Sequence, residues 1–336
     1  MTAVQKGYLT RLIALPIGLA TSRWQLKQGC DFVYTVGIDV GGTKIATAVV
    51  DADGQIIESA DVLTKAEQGP EAVLDRIVNT VEAVLSSSGV SSVIGVGIGA
   101  PGPLNPREGM VYSPPNLPGW DRIPLQAEMQ RRLHLPTFLD NDANAAALAE
   151  LRFGAGSGYR DMVYLTISTG IGGGVILDGK IRQGASGCAA EVGHHIIALD
   201  GPLCRCGNRG CLEVLASGTA IARMAEERLG AQLNASAVAR LAAQGDSGAR
   251  AILDDVYRYL GVGLVNVVNM FDPSVIVIGG GVAQIGEPLF EALQQSIDQN
   301  HFRSNAFSRV RVLPAQLGTR AGVIGAALLP LVQSIS

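Results

Sequence analysis

Most of the cysteine and histidine side chains in this 336-residue chain lie in one short segment, where they could bind a metal together. Four of the five cysteines and two of the four histidines fall between residues 186 and 213. Three of these cysteines share a stretch whose glycines permit the tight turns that bring thiolates together, namely Cys204, Cys206 and Cys211. Zinc in structural sites takes four ligands in a tetrahedron. His194 is the candidate for the fourth position, and His195 competes with it.

A disulfide is the alternative use of these thiols. Cys204 and Cys206 are too close in sequence for an easy bridge. The chain is long and otherwise poor in cysteine, unlike a scaffold held together by disulfides. The spacing therefore predicts a closed structural zinc site. Cys188 is interpreted as a small buried residue and not as a ligand.

Two carboxylates flank the cysteine cluster. Glu191 precedes His194 by three residues, and Glu213 follows Cys211 by two. One metal would hold two acids and an imidazole in a fixed relation, and ionised carboxylates accept directional hydrogen bonds from hydroxyl groups. This arrangement suits a ligand with several hydroxyls. The alternative is that both are surface acids.

The elements that position these residues begin with a strand that ends in a glycine turn. The pattern predicts a strand over residues 32–40, a turn, and a second strand closed by an Asp-Gly turn at 53–54. Backbone N–H groups of the first turn and the Thr43 hydroxyl could hold phosphate oxygens, while Asp39 engages magnesium. Hairpins with an aspartate at this place also occur without any ligand.

The same strand–turn–strand pattern recurs later in the chain. Residues 162–181 repeat a strand, a Thr/Gly turn at 169–174, and a second strand closed by Asp178-Gly179. Two copies of this unit predict duplicated halves that face each other across one cleft. The phosphates of a nucleotide would then lie between the two glycine turns. Glycines that serve only as hairpin turns are the alternative.

Three further segments carry candidate residues. A Pro-rich loop at 113–120 contains Asn116, whose amide can both donate to and accept from a hydroxyl; alternatively the loop only caps the fold. Asn141 and Asp142 fall where a strand gives way to a helix rich in alanine. Asp142 is either the N-cap of that helix or a base in the cleft that takes a proton from a substrate hydroxyl. A triple-glycine turn after a buried strand at 274–282 lets a nucleoside approach the backbone.

The remaining elements form the framework of an α/β fold. Apolar spacing predicts helices at 70–88, 214–229, 236–243 and about 249–270, and a closing helix whose Gly322 and Gly325 permit close packing. A buried strand lies within 90–102. We expect two α/β domains, over residues 34–150 and 151–319, with the closing helix at about 320–334 packing back against the first domain.

Composition excludes several classes of protein. With 47% hydrophobic residues the chain is long enough to bury two sizeable cores, and its 42 glycines are typical of a protein with many tight turns. The net charge of −4 gives no support to nucleic-acid binding. No apolar run is long enough to span a bilayer. Thiolate ligands and a nucleotide favour the reducing cytoplasm.

The first 33 residues differ from the rest of the chain. Within the first thirty there are four basic residues and no acidic one, together with a short apolar run at 12–20. That pattern is compatible with a targeting segment. We interpret residues 1–33 as a dispensable or disordered N-terminal extension.

Together these motifs resemble the sugar kinases of the ROK family (repressor, open reading frame, kinase). The matching segments cover the chain from Val36 onward and are DVGGTK at 39–44, GAPG at 99–102, DNDAN at 140–144, STGIGGG at 168–174, EVGH at 191–194, CRCGNRGC at 204–211 and IGGGV at 278–282. The resemblance implies the duplicated, actin-like or hexokinase-type α/β fold, with two domains around a central cleft and a zinc knuckle.

The resemblance also implies a role for each candidate residue. Asp142 would be the general base, and Asp39 would hold magnesium. His194 would be both a sugar contact and the zinc ligand beside the three cysteines. The other sugar contacts would be Asn116, Asn141, Glu191 and Glu213. The ATP contacts would be Gly41, Gly42, Thr43, Lys44, Thr169, Gly170, Gly280 and Gly281.

The implied activity is phosphorylation of a hexose at its 6-hydroxyl by ATP with Mg²⁺, with glucose as the expected sugar. N-acetylmannosamine or N-acetylglucosamine kinase activity is the alternative. The family also contains sugar-responsive transcriptional regulators, but the chain before residue 39 shows no helix-turn-helix pattern, and a proline interrupts the candidate segment. We expect no nucleic-acid or membrane partner. The resemblance further implies a homodimer.

Overall fold

The structure is a computed structural model that describes residues 33–300, 302 and 310–333. Within these ranges the chain forms two five-stranded sheets and one two-stranded sheet. The strands are β1 (Tyr34–Val40), β2 (Lys44–Asp51), β3 (Ile56–Leu63), β4 (Val96–Ala100), β5 (Leu104–Asn105), β6 (Met110–Val111), β7 (Thr137–Asn141), β8 (Met162–Ile167), β9 (Ile171–Leu177), β10 (Lys180–Ile181), β11 (Val275–Gly279) and β12 (Arg311–Pro314). Residues 1–32 of the expected extension lie outside the described residues.

The first sheet has the strand order β3-β2-β1-β4-β7. β1, β2 and β3 form an antiparallel meander, while β4 and β7 run parallel to β1. β4 is buried along its whole length, as expected for a central parallel strand covered on both faces. The glycine turn predicted between the first two strands is present at residues 41–43.

The second sheet repeats this topology with the order β10-β9-β8-β11-β12. Again three antiparallel strands come first, and two parallel strands are added on the other side of the first strand. The two sheets therefore derive from the same strand–turn–strand unit. This confirms the predicted duplicated α/β fold. Below, the first half is the part built on the first sheet, and the second half is the part built on the second sheet.

The helices of the described residues include the predicted ones and two that the sequence motifs did not indicate. They are α1 (Pro70–Ser88), α2 (Leu125–Leu133), α3 (Asp142–Phe153), α4 (Leu212–Ala216), α5 (Gly218–Leu229), α6 (Ala235–Ala243), α7 (Ser247–Phe271), α8 (Glu287–Asn300) and α9 (Ala321–Gln333). The helix expected at 214–229 is divided at Ser217, because that side chain accepts a hydrogen bond from the Ala220 N–H and starts a new helix. No described helix has the length and apolar character needed to cross a membrane.

Helices α3 and α9 share a core with strands from both sheets. Small residues allow this close packing. A Cβ atom at Gly97 of β4 would lie 1.8 Å from the Ala326 carbonyl oxygen, and one at Gly325 would lie 1.7 Å from the Ala145 carbonyl oxygen. The backbone of α9 therefore lies directly on the first sheet and on α3. Close packing at Gly325 was predicted from the sequence, and the structure has it.

The chain passes between the two halves after α3 and again after β12, and one carboxylate binds both connections. Glu150 near the end of α3 is fully buried. Its oxygens accept hydrogen bonds from the N–H groups of Ala155 at 2.9 Å, Gln316 at 3.1 Å and Leu317 at 2.8 Å. Both crossings are thus hydrogen-bonded to the same buried carboxylate.

Candidate active site

The candidate residues of the first half meet at the carboxyl ends of its parallel strands. The register places Asp39 of β1 beside Gly99 of β4, and Gly99 beside Asp140 of β7. Asn141 ends β7, and Asp142 begins α3. Ligands of open α/β sheets bind beyond these strand ends. Parallel pairing thus brings residues from three separate motifs to one edge.

The N-cap of α3 is Asn141 and not Asp142. The Asn141 side chain accepts hydrogen bonds from the N–H groups of Ala143 at 2.9 Å and Asn144 at 3.4 Å. The capping interpretation of Asp142 is therefore wrong. Asp142 is the first residue of the helix proper, and one of its oxygens accepts from the Ala143 N–H at 2.8 Å, which leaves the other oxygen for a different partner.

The electrostatic environment raises the pKa of two carboxyl groups at this edge. Burial, followed by the nearby charges of Asp39 and Glu191, raises the pKa of Asp142 to about 7. Burial also raises the pKa of Asp39 to about 6, with Asp61 adding to the rise and Lys44 opposing it. A base that must both accept and release a proton near neutral pH works best with a pKa in this region.

Glu191 of the second half lies near Asn141, at the same edge of the first sheet. It precedes a single 3₁₀ turn, Val192–His194. A Cβ atom at Gly102, which follows β4, would lie 3.6 Å from the Asn141 side-chain nitrogen and 3.8 Å from a Glu191 carboxylate oxygen. Burial raises the pKa of Glu191, while His194 opposes the rise and Glu213 adds to it. Glu191, His194 and Glu213 thus form one group of interacting charges.

Glu213 also supports the second glycine turn. Its carboxylate accepts a hydrogen bond from the Ile171 N–H at 2.9 Å. A side chain at Gly170 would collide with it, because a Cβ atom there would lie 2.4 Å from the same oxygen. The residue expected to contact sugar is therefore also bonded to the turn expected to hold phosphate.

The predicted zinc ligands converge. The ligand atoms of His194, Cys204, Cys206 and Cys211 all lie within 4.8 Å of one another. The Sγ atoms of Cys206 and Cys211 are 3.6 Å apart, and the Cys204 Sγ is 3.7 Å from the His194 Nδ1. Sulfurs held about 2.3 Å from a tetrahedral zinc would be separated by about 3.8 Å. The donor set and its spacing therefore fit zinc.

Two neighbouring residues take no part in this cluster. The His195 Nδ1 bonds to the Val192 carbonyl oxygen, and burial lowers the pKa of its ring; His194 is thus the fourth ligand candidate. Cys188 also lies outside the cluster, but it is exposed. The interpretation of Cys188 as a buried residue is wrong, because its loop lies at the molecular surface.

The first glycine turn packs against the Pro-rich loop. The Gly41 N–H donates to the Lys44 carbonyl at 2.9 Å. A Cβ atom at Gly42 would lie 2.7 Å from the Asn116 Cβ, so only glycine permits this approach. The Lys44 ammonium is paired with Asp61 at 2.9 Å, and both side chains are about half exposed. This partner of Lys44 was not predicted.

The second glycine turn borders a pocket. The Ser168 N–H donates to the Gly170 carbonyl at 2.9 Å, and the Thr219 hydroxyl donates to the Thr169 carbonyl at 2.7 Å. Beside them lies a pocket of about 630 Å³ whose walls include Thr169, Gly281 and Asn234. Its walls from α5 and α6 were not identified from the sequence, because no motif marks them.

Gly280 shapes the floor of this region through its backbone. Its φ is +87°, and a Cβ atom there would lie 2.4 Å from the Ile167 carbonyl oxygen. Both features favour glycine. The triple-glycine turn therefore fits directly against the end of β8, which leads into the second glycine turn.

Asp140 is a polar residue for which the sequence predicted no role. It is fully buried and accepts hydrogen bonds from Asn144 at 2.8 Å, Gln183 at 2.7 Å and Gln333 at 3.3 Å. These partners belong to α3, to the segment after β10 and to α9. An aspartate within a predicted strand was the available signal, but its distant partners could not be identified from it.

Comparison with known proteins agrees with this geometry. The model of the ROK family matches residues 35–332. The chain is 38% identical over 312 residues to a glucokinase from Streptomyces coelicolor, covering 87% of this chain and 96% of the relative. It is 36% identical over 295 residues to an N-acetylmannosamine kinase from Escherichia coli, covering 88% and 97%. The crystal structure of a ROK family glucokinase from Streptomyces griseus in complex with glucose and AMPPNP has a TM-score of 0.75 at 37% identity, covering 88% and 98%.

The duplicated α/β fold, its two glycine turns and its His/Cys₃ cluster are together those of a ROK-type sugar kinase. The chain belongs to the ROK family.

Proposed function

We propose that this protein transfers the γ-phosphoryl group of ATP to the 6-hydroxyl of a hexose, with glucose as the first substrate and glucose 6-phosphate as the product. The observation that carries the proposal is the state of Asp142. It does not cap its helix, its pKa is raised to about 7, and it lies at the ligand-binding edge of the first sheet, beside Asn141. A carboxylate in this condition is suited to remove a hydroxyl proton.

In the proposed reaction Asp142 takes the proton of the sugar 6-hydroxyl as that oxygen attacks the γ-phosphorus. A bond forms between the sugar oxygen and phosphorus, and the bond from phosphorus to the bridging oxygen of ADP breaks. ADP leaves with the bond electrons, and the proton remains on Asp142 until it is released to solvent. Such transfers depend mainly on alignment and on stabilisation of charge.

The sugar site is formed from both halves. Asn116, Asn141 and Asp142 come from the first half, and Glu191, His194 and Glu213 come from the second. His194 directs Nδ1 towards Cys204, which leaves Nε2 to hydrogen bond a sugar hydroxyl. Carboxylate and amide groups supply the directional acceptors that a polyhydroxylated ligand requires.

The ATP site lies between the two glycine turns. Gly41, Gly42, Thr43 and Lys44 on one side, and Thr169 and Gly170 on the other, would offer N–H groups, hydroxyls and one ammonium to the phosphates. The nucleoside would occupy the pocket beside Gly280 and Gly281. The Asp39 carboxylate suits Mg²⁺, a cation that prefers oxygen ligands, and bound Mg²⁺ would neutralise phosphate charge.

Zinc has a structural role in this proposal. Its four ligands come from the chain itself, so no coordination position is open for substrate. The metal would fix the segment that carries His194, Glu213 and the Gly-rich knuckle. Its binding energy would thus stabilise the sugar site without contact with the phosphate.

Glucose stands first because the relative with the higher identity is named a glucokinase and the similar crystal structure contains glucose. N-acetylmannosamine is the second candidate, because a relative with that named activity has 36% identity. The difference between them is an acetamido group at the second sugar carbon, which only a sufficiently wide pocket accepts.

The test is release of ADP from ATP and Mg²⁺ in the presence of glucose, mannose, fructose, N-acetylglucosamine or N-acetylmannosamine. Preference for glucose in kcat/KM supports the proposal in full. Preference for an N-acetylhexosamine replaces the substrate but keeps the reaction. Absence of turnover with every sugar, in folded protein shown to contain zinc, contradicts the kinase proposal.

We further propose a cytosolic homodimer. The four cysteines of the described chain are free thiols, and the three in the zinc cluster keep their metal in a reducing compartment. Light scattering with size-exclusion chromatography measures the mass in solution, and a mass near the 34.9 kDa of one chain would contradict the dimer.

A further inference from the structure

A segment of the second half lies on the first half. It consists of residues 183–188, here named the strap. The strap follows β10 and leads directly to Glu191. Its position therefore determines where Glu191 is held relative to the first half.

Arg107 makes the most extensive polar contact with the strap. This residue lies in the turn between β5 and β6, and it is exposed. Its Nη1 donates to the Ala185 carbonyl at 3.2 Å, and its Nη2 donates to the Gly184 carbonyl at 3.0 Å. The guanidinium thus binds two successive carbonyls of the other half with its fixed fork of donors.

Backbone packing holds the same segment against the turn. Gly187 is buried and has φ +85°, and a Cβ atom there would lie 2.4 Å from the Pro106 Cδ. The neighbouring Cys188 Sγ lies 3.7 Å from the Leu104 carbonyl oxygen. The strap is therefore in close contact with the β5–β6 turn and leaves no room for a side chain at residue 187.

The start of the strap is fixed by the buried Asp140. Gln183 donates from Nε2 to the Asp140 Oδ2 at 2.7 Å, and the other oxygen of Asp140 accepts from the Asn141 N–H at 2.8 Å. The strap is thereby connected through one carboxylate to the backbone beside Asp142. Its two ends are tied to the same half that carries the proposed base.

We propose that the strap docks on the β5–β6 turn to hold Glu191 at the sugar site, and that Arg107 is the positioning residue that sets sugar affinity by this docking. This inference rests on the proposed function of the site. It follows because Glu191 belongs to the second half, while Asn141 and Asp142 belong to the first, so a sugar can contact all of them only if the halves are held together there.

The first test compares Arg107→Ala with Arg182→Ala as a matched control. Arg182 is also partly exposed, but it donates to Leu177 and pairs with Asp178 within the second half. Loss of two charge-assisted hydrogen bonds should raise the sugar KM of Arg107→Ala about tenfold. Its kcat at saturating sugar should remain within about twofold, because no reacting group has changed. The control should leave both constants unchanged.

The second test compares Gly187→Ala with Gly179→Ala. Both glycines have positive φ, but a Cβ atom at Gly179 would meet nothing within 4 Å. Backbone strain is thus common to both variants, and the collision with Pro106 is confined to Gly187→Ala. We expect a raised sugar KM only for the latter.

The third test measures strap docking independently of enzyme turnover. It follows hydrogen exchange of peptides spanning residues 183–190 by mass spectrometry. Arg107→Ala should speed exchange in this segment by about fivefold or more relative to the wild type and to Arg182→Ala. Unchanged exchange, or a sugar KM equal to that of Arg182→Ala, overturns the strap proposal. If the wild type phosphorylates no sugar, the proposed function fails on that result, and exchange still decides whether Arg107 holds the strap.

Discussion

Replacing Asp142 by asparagine should make the protein nearly inactive and at the same time more stable. The amide has almost the same shape and can still accept a hydrogen bond from the Ala143 N–H. It cannot take the proton of the sugar hydroxyl. Loss of a positioned base lowers kcat by about 10²- to 10⁴-fold, while the sugar KM should change little because the neighbouring contacts remain.

The gain in stability follows from the raised pKa of the carboxyl group. Its pKa is raised from 3.8 to about 7 in the folded protein, so the folded state favours the protonated form. The protonated carboxyl group therefore contributes its full share of the free energy of unfolding below pH about 4. This contribution is lost as the pH rises to about 7. At 1.36 kcal/mol per pKa unit, the loss at pH 8 is on the order of 4 kcal/mol as an upper figure.

Asparagine removes this loss but still requires hydrogen bonds for its own amide. We expect a net gain of about 1–2 kcal/mol at pH 8, which corresponds to a rise in Tm of roughly 1.5–3 °C for a chain of this size. The difference in Tm between variant and wild type should grow from pH 4 to pH 7 and then become constant.

The assay combines steady-state ADP release with thermal unfolding followed by circular dichroism between pH 4 and pH 8. A variant that keeps most of its kcat would show that Asp142 is not the base. A difference in Tm that does not depend on pH would show that burial and the charges of Asp39 and Glu191 do not destabilise the ionised carboxylate.

Three further predictions concern other parts of the site. Cys206→Ser should release zinc and raise the sugar KM more than tenfold, because a structural zinc contributes on the order of 10 kcal/mol to the local fold. One zinc per chain by elemental analysis, together with an unchanged sugar KM, would contradict this prediction. Asp39→Asn should lower kcat at least about 100-fold and increase the Mg²⁺ concentration needed for half-maximal rate, since a metal at transferring phosphate contributes several kcal/mol; an unchanged Mg²⁺ titration would refute the assignment. Gly280→Ala should raise the ATP KM several-fold because residue 280 has a positive φ and a Cβ atom there would collide with Ile167. Gly286→Ala is the control, since Gly286 has φ +83° and open space around it, and it should leave the ATP KM unchanged. Equal effects of the two substitutions would refute the steric argument.

Local patterns predicted the elements whose residues interact with near neighbours in sequence. The helix at 70–88 is confirmed at both ends, since its apolar spacing and Pro70 are local signals. The duplicated hairpins were predicted for the same reason, because an Asp-Gly turn joins strands that pair with each other. The cluster of His194, Cys204, Cys206 and Cys211 was predictable because its members all lie within a short segment.

Long-range pairing explains what the sequence did not reveal. Helices α2 and α8 and strand β12 contain no motif that marks chemistry or a turn. Asp140 finds partners at Gln183 and Gln333, far along the chain, and no local pattern specifies such contacts. The docking of residues 183–188 on the first half, including the exposed position of Cys188, likewise depends on how two separately formed sheets meet.

The position of helix α9 affects how the chain acquires its fold during synthesis. Gly37 of β1 and Gly97 of β4 lie against its backbone, with potential Cβ positions 2.0 Å and 1.8 Å from the carbonyl oxygens of Val323 and Ala326. Those strands leave the ribosome first, but the part of the sheet that α9 covers stays exposed until residues 321–333 have been translated. The nascent first half must therefore remain incomplete, with apolar surface exposed, while the whole second half is being made.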